Sequence, residues 1–328
     1  HITYHDFMKF EFHTDYFKYQ IANIFLNTLT SRSEDSTDSS LIYMIHTLEF
    51  RTKQKLSFTI SENVMYRSQI GAELKFMNPS FIYHNLNNRD MFNAIAYAEV
   101  NYVPIKGLEF YGQFTLDQAT APNEDNSQDP AFGYMIGSSY SFEIPKAIVS
   151  SAFEFSYTSP LLYRRDLVDF IEVQRYFHHN REINGYTFSS YSLLFNYIGF
   201  PFGGDSIMVN WNTNINVLGI GKAYFKASFL EKGSFNIFES HNSMSHINTD
   251  KPKSDRGKTP TYNNKGEILC VLALSTGFDA DMSLFFNYPD VTIGIYADYI
   301  TTWNRHRSGV KNNLKSDLQV TLSTSFKF

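Results

Sequence analysis

The chain has 328 residues, 19% of them charged and 43% apolar, with a net charge of -5. This balance argues against a disordered polymer, and no stretch approaches the ~20 consecutive apolar residues that a spanning helix needs. With no basic tract or interleaved basic and aromatic patch, the sequence points away from nucleic acid as a partner. The single Cys270 leaves no internal disulfide framework and no multi-thiolate metal centre, and it sits in the apolar run ILCVLAL as a packing residue.

The mean hydropathy of -0.30 suggests a polar chain, but averaging erases an alternating pattern. Aromatic residues reach 17%, with 31 Phe and 22 Tyr against 2 Trp. Such residues favour strands, and membrane barrels gather them at both interfaces.

Taken in order, the chain repeats one signal. FMKFEFH sets Met8, Phe10 and Phe12 against Lys9, Glu11 and His13. Strand-like runs follow at 16–28, 41–53 and 55–63, then at 92–103 and 107–118. In 107–118, Leu108, Phe110, Phe114 and Leu116 oppose Glu109, Tyr111, Gln113, Thr115 and Asp117. Further runs span 132–142, 149–158, 205–215, 220–230, 267–277 and 291–303. The chain ends on LQVTLSTSFKF, whose apolar parity ends at Phe326 and Phe328. Strict alternation gives each run one apolar and one polar face, and most have the ~9–11 residues of a tilted membrane strand.

The connections come in two sizes. HTD, TKQ, PIKG, EIPKA and NVLG are short, whereas 31–40, 117–130, about 159–204 and 231–266 are long and mostly polar. Short turns alternating with long loops predict an all-β fold, a transmembrane antiparallel outer-membrane β-barrel with short turns in the periplasm and long loops outside. The polar parity then lines a lumen plugged by loops. A soluble sandwich with one solvated face is the alternative, but it would leave a very sticky aromatic surface. About thirteen or fourteen strands are expected in this chain. Because closed bacterial barrels have even strand numbers, a total of up to about 18 is expected if strands precede residue 1. Segments 191–200 and 282–289 could each hide one more wall strand. The single barrel domain, 1–328, is expected to lack its N-terminal portion. The terminal Phe on an alternating last strand resembles the signal read by the outer-membrane insertion machinery of Gram-negative cells.

Several segments together resemble the capsule-assembly Wzi family of outer-membrane proteins. They are LSFTISENVMYR (56–67), LKFMNPSFIYHN (74–85), PIKGLEFYGQFTLDQ (104–118) and GFPFGGDS (199–206). The resemblance implies a larger barrel, closed or plugged by inward loops, that binds surface polysaccharide and helps retain it on the cell. Two departures stand out: the family's final acidic pair is reduced to Asp117-Gln118, and its N-terminal region is not recognisable.

No catalytic signature is present: there is no G-x-S-x-G, no H-E-x-x-H and no P-loop. The expected function is therefore non-enzymatic, with no cofactor and no metal. The candidate glycan-binding or loop-anchoring residues are Glu62, Asn63, Asn78, Phe81, Tyr83, Asp117, Tyr176, His178 and Asp205. Glu62 and Asn63 offer hydrogen bonds to a sugar or an anchor for inward-folded loops. Phe81 and Tyr83 follow the turn signal Asn78-Pro79 and could stack on a glycan or form a rim girdle. His178-His179, flanked by Arg175, Arg181 and Glu182, reads as a hydrated or plug-forming loop rather than a metal site. Gly199, Gly203 and Gly204 permit unusual backbone angles before Asp205. Glu109, Gln113, Thr115 and Asp117 share the lumen face, where a plugged barrel would pair them with loop residues such as Arg164 and Arg165. The expected partners are outer-membrane lipid and lipopolysaccharide, surface polysaccharide, the barrel-assembly machinery and an envelope protein. The rival readings are a porin or specific solute channel and a structural adaptor.

Overall fold

The structure is a computed structural model. It describes residues 5–26, 40–52, 55–68, 73, 92–118, 131–164, 168–177, 181–184, 186–188, 191–233, 237, 267–282, 291–306 and 309–326. It is all β, and none of its elements is an α-helix. Thirteen strands form one antiparallel sheet: β1 (Asp6–His13), β2 (Phe17–Leu26), β3 (Ser40–Thr52), β4 (Leu56–Ser68), β5 (Phe92–Ile105), β6 (Leu108–Gln118), β7 (Ala131–Ile144), β8 (Ala147–Thr158), β13 (Ser206–Val217), β14 (Gly221–Gly233), β15 (Glu267–Asp281), β16 (Val291–His306) and β17 (Gly309–Phe326). Neighbours in sequence are neighbours in the sheet, except that β8 pairs with β13. The thirteen wall strands are those the alternation predicts. The sheet is open, since no ladder joins β1 to β17. These two strands run in the same direction, so antiparallel pairing could not close the sheet between them directly.

Connections such as 14–16, 53–55, 106–107, 145–146 and 218–220 gather at one end of the sheet, and 27–39, 69–91, 119–130 and 234–266 at the other. Turn chemistry explains the tight end. Thr14 accepts the N–H of Phe17 on its side-chain oxygen at 3.1 Å, and Lys146 and Gly107 supply the positive φ angles (68° and 84°) that close two-residue links.

The period-2 pattern sets the two faces of the wall. Phe10, Phe58, Phe110, Phe114, Ile136, Phe153, Ile295, Leu318 and Val320 lie on the outward parity and are exposed. Trp211 belongs to this face, and its indole N–H is satisfied by Ser151 Oγ at 3.1 Å. The inward parity carries amides, hydroxyls, carboxylates and tyrosines. Gly137 makes room for one of these: a Cβ there would run into the Tyr111 ring.

The outward row is not uniformly exposed. Toward the long-loop end of β2–β5, Ile42, Met44, Val64, Tyr66 and Phe92 are fully buried on that parity, together with Asn23 and His46. At Glu73, the backbone N–H donates to Tyr66 Oη at 3.3 Å on this face. On this part of the wall the outward parity is buried, not exposed.

The stretch between β8 and β13 is not a simple loop. It holds four short strands, β9 (Ile171–Phe177), β10 (Arg181–Ile183), β11 (Tyr186–Phe188) and β12 (Tyr191–Tyr197), paired as two hairpins, β9 with β12 and β10 with β11. The run at 191–200 is thus a strand, but it pairs within this excursion and not in the wall. The other doubtful run, 283–289, lies outside the described residues. The excursion packs on the inner face: Leu162, Tyr163, Val168, Phe170 and Ile198 form one core with Leu26, Tyr43, Met65 and Ile95. The β1–β8 half of the sheet curls over it, because contacts reach the excursion from the β1 edge as well as from β6. His5 Nε2 lies 3.2 Å from Glu172 Oε1, and Asp117 Oδ2 accepts the Tyr163 N–H at 2.8 Å.

Candidate functional site

Between the excursion and the inner face of β3–β8 lies a cavity of ≈ 530 Å³. The wall side includes Tyr43, Thr47, Ser61, Asn63, Tyr97, Gln113, Thr115 and Ser156; the excursion side includes Tyr163, Phe170 and 198–201. Strand alternation places 61 and 63, 113 and 115, and 43, 45 and 47 on the same inner face.

Some of the lining polar groups are committed within the protein. Ser61 Oγ donates to the His46 carbonyl at 2.7 Å and lies 3.1 Å from Thr47 Oγ1. Tyr97 donates its hydroxyl to Glu99, which also accepts from Asn101 Nδ2 at 2.7 Å and from Gln113 Nε2 at 3.0 Å. Others are uncommitted: the Asn63 amide nitrogen, the Gln113 amide oxygen, and the hydroxyls of Thr115, Ser156 and Tyr43 have no hydrogen-bond partner among the described residues. A neutral set of donors and acceptors beside tyrosine rings can hold a polyhydroxylated ligand by hydrogen bonding and stacking.

The excursion wall is held in an uncommon conformation. Tyr163 has φ 72°, a value non-glycine residues rarely adopt. Its N–H goes to Asp117, and its hydroxyl accepts the Phe200 N–H at 3.1 Å. Burial pushes this hydroxyl up to about 12, so it stays neutral across physiological pH. Gly199, with φ 135°, lies against the Tyr163 ring, where a Cβ would fall 2.7 Å from ring atoms. Gly203, with φ 70°, plays the same part for Tyr197. The root of the excursion is closed by Asp205, buried with φ 59°, whose N–H meets the Ser159 carbonyl at 3.0 Å and whose carbonyl accepts from Gly233 at 2.8 Å.

The structure separates the candidates named from the sequence. Asn63, Gln113 and Thr115 line the cavity, and Asp117 stands behind Tyr163. Glu62 is on the opposite parity from Asn63, beside His46 in the β3–β4 ladder. The strand runs on to Ser68, so Glu62 and Asn63 lie inside it rather than at its end. Glu109 faces inward and accepts from Ser139 at 3.3 Å, away from the cavity lining. Arg164 pairs with Asp169 of its own loop at 3.3 Å, while the wall carboxylates Glu99, Glu109 and Glu154 take donors from the wall itself. Tyr176 lies opposite Ser192 in the β9–β12 hairpin, and Glu182 opposite Thr187 in β10–β11. Asn78, Phe81, Tyr83, Arg165, His178, His179 and Phe328 lie outside the described residues, while Phe326 ends β17 on the exposed parity. Tyr43, Thr47, Ser61, Tyr97, Ser156 and Tyr163 are cavity residues that sequence reasoning did not select. A tyrosine standing on the polar parity, as at 43 and 97, is the one signal that could have found them.

The shared acceptor in the wall gives a first expected result. Glu99→Ala leaves the donors of Tyr97, Asn101 and Gln113 without their common carboxylate. A loss of about 1–3 kcal/mol in urea unfolding is expected.

No protein-family model matches the chain, and no curated protein matches it. Among solved structures, the chain is similar to one described as Wzi, an outer membrane protein involved in group 1 capsule assembly in Escherichia coli and a carbohydrate-binding β-barrel. The TM-score is 0.48 and the identity 13%, over 94% of this chain and 55% of that one. The chain thus spans about half the length of that protein, and the likeness carries nothing about function.

Proposed function

We propose that this chain is the membrane-spanning wall and lumen loop of an outer-membrane barrel that binds a saccharide without chemical conversion, as part of holding surface polysaccharide at a diderm cell. The observation that carries this reading is the cavity between wall and excursion, with uncommitted neutral hydrogen-bonding groups beside Tyr43, Tyr97 and Tyr163. Membrane residence is supported by the exposed aromatic and aliphatic outward parity, which in water would be a large continuous apolar surface. On this reading the outward face meets lipid and lipopolysaccharide.

The test is saccharide binding by the detergent-purified chain. Asn63→Leu combined with Thr115→Val removes two uncommitted groups while keeping approximate size. Affinity is expected to fall about tenfold or more, at ~1–1.5 kcal/mol per lost hydrogen bond. Unchanged binding would move the site elsewhere.

A second reading, a solute channel, is favoured by one observation. The inner face of β13–β16 presents Asn212, Asn214, Asn216, Lys222, Lys226, Asp279 and Asp298, a polar row beyond the residues that line the cavity. Large steady single-channel conductance from the intact protein would favour it.

A further inference from the structure

The geometry points to an uncharged saccharide as the occupant of the cavity, one that excludes uronate-bearing, phosphorylated and amino-sugar chains. This deepens the saccharide reading above and rests on it.

Three observations converge. First, among the described lining residues there is no Lys, Arg, His, Asp or Glu. An acidic sugar would therefore enter without a cation to meet it, and burying an unpaired charge is strongly unfavourable. Second, the charges just behind the lining are negative. Glu99 touches Tyr97 and Gln113, and Asp117 holds the Tyr163 backbone. Among the described residues, Arg164 of the excursion pairs with Asp169, and Lys232 of β14 reaches the Gly204 carbonyl. The field at the cavity therefore repels anions, and low surrounding polarity strengthens that repulsion.

Third, the negative field does not make this an amine site. Glu99 Oε1 already accepts from Asn101, and Oε2 accepts from Gln113 and Tyr97. Asp117 Oδ2 accepts from the Tyr163 N–H. Neither carboxylate is among the described lining residues, so an ammonium group in the cavity meets neither of them directly. Only neutral partners remain available: the Asn63 nitrogen, the Gln113 oxygen and the hydroxyls of Thr115, Ser156 and Tyr43. Sugar hydroxyls, which donate and accept, complement that set.

The experiment uses the detergent-purified full chain and a panel of hexasaccharides. Neutral gluco-, galacto- and manno-oligomers are compared with their uronic-acid counterparts and with a glucosamine hexamer, at about 50 and about 500 mM salt. The best neutral oligomer is expected to bind at least about tenfold more tightly than its acidic counterpart at low salt. Its affinity should be insensitive to salt, and the deficit of the acid should shrink at high salt. Thr115→Lys places a cation in the lining and is expected to erase or reverse the preference. Equal or tighter binding of a uronate or of the amino sugar by the unmodified chain, at low salt, would overturn the neutral-ligand inference and leave saccharide binding standing. Binding of no oligomer would overturn both.

Discussion

On the outer-membrane reading, Ile136→Arg is expected to destabilise the protein, folded in lipid vesicles, by about 2–4 kcal/mol, the penalty for a cation on a lipid-facing position near mid-membrane. Ile136 stands in the middle of β7, 57% exposed, between Gly112 of β6 and Phe155 of β8 on the outward parity. The paired control is Ser139→Arg, on the inward parity of the same strand, next to Glu109. There a guanidinium meets a carboxylate in a polar lumen, and less than about 1 kcal/mol of change is expected. Urea unfolding from vesicles measures both. Equal penalties for the two would mean that the wall does not separate lipid from lumen.

The second large effect concerns the excursion. Phe170 is buried to 1% and meets the Tyr43 ring edge-on, with centroids 5.7 Å apart, inside the core shared by wall and excursion. Phe170→Ala removes a full ring from a packed site, a loss of about 3–5 kcal/mol. The loss falls on docking of the excursion more than on the wall, whose ladders do not pass through it. Hydrogen exchange of residues 168–177 is therefore expected to accelerate, with much smaller changes in β13–β17. Saccharide binding should fall with it, because Tyr163 and Phe170 form one side of the cavity. Uniform acceleration across all strands would show instead that excursion and wall unfold as one unit.

How far the sequence could be read depended on which physical rule governed each part. Leu108 to Leu116 against Glu109 to Asp117 announced β6 because a wall strand obeys one strict period, and a short turn such as PIKG fixes its partner. The same rule failed at residues 191–197. A hairpin inside the lumen alternates just as a wall strand does, so period alone does not tell where the strand pairs. It also failed at His46 and Met44, which follow the outward parity yet are buried, since spacing sets which face a residue takes and not what lies over that face. The cavity was legible only in part. Asn63, Gln113 and Thr115 stood out as polar strand positions, whereas Tyr163 becomes a cavity residue through a left-handed backbone fixed by Asp117, 46 positions away.

Thr158 and Ser206 face each other across the β8–β13 ladder, and Ser159 and Asp205 close the neck between them. Everything from 160 to 204 therefore hangs from a hairpin that could be closed by a turn of a few residues. The luminal insert is a cassette in the topological sense. Its length could change without shifting the register of any neighbouring wall pair, because β8 and β13 meet directly beneath it.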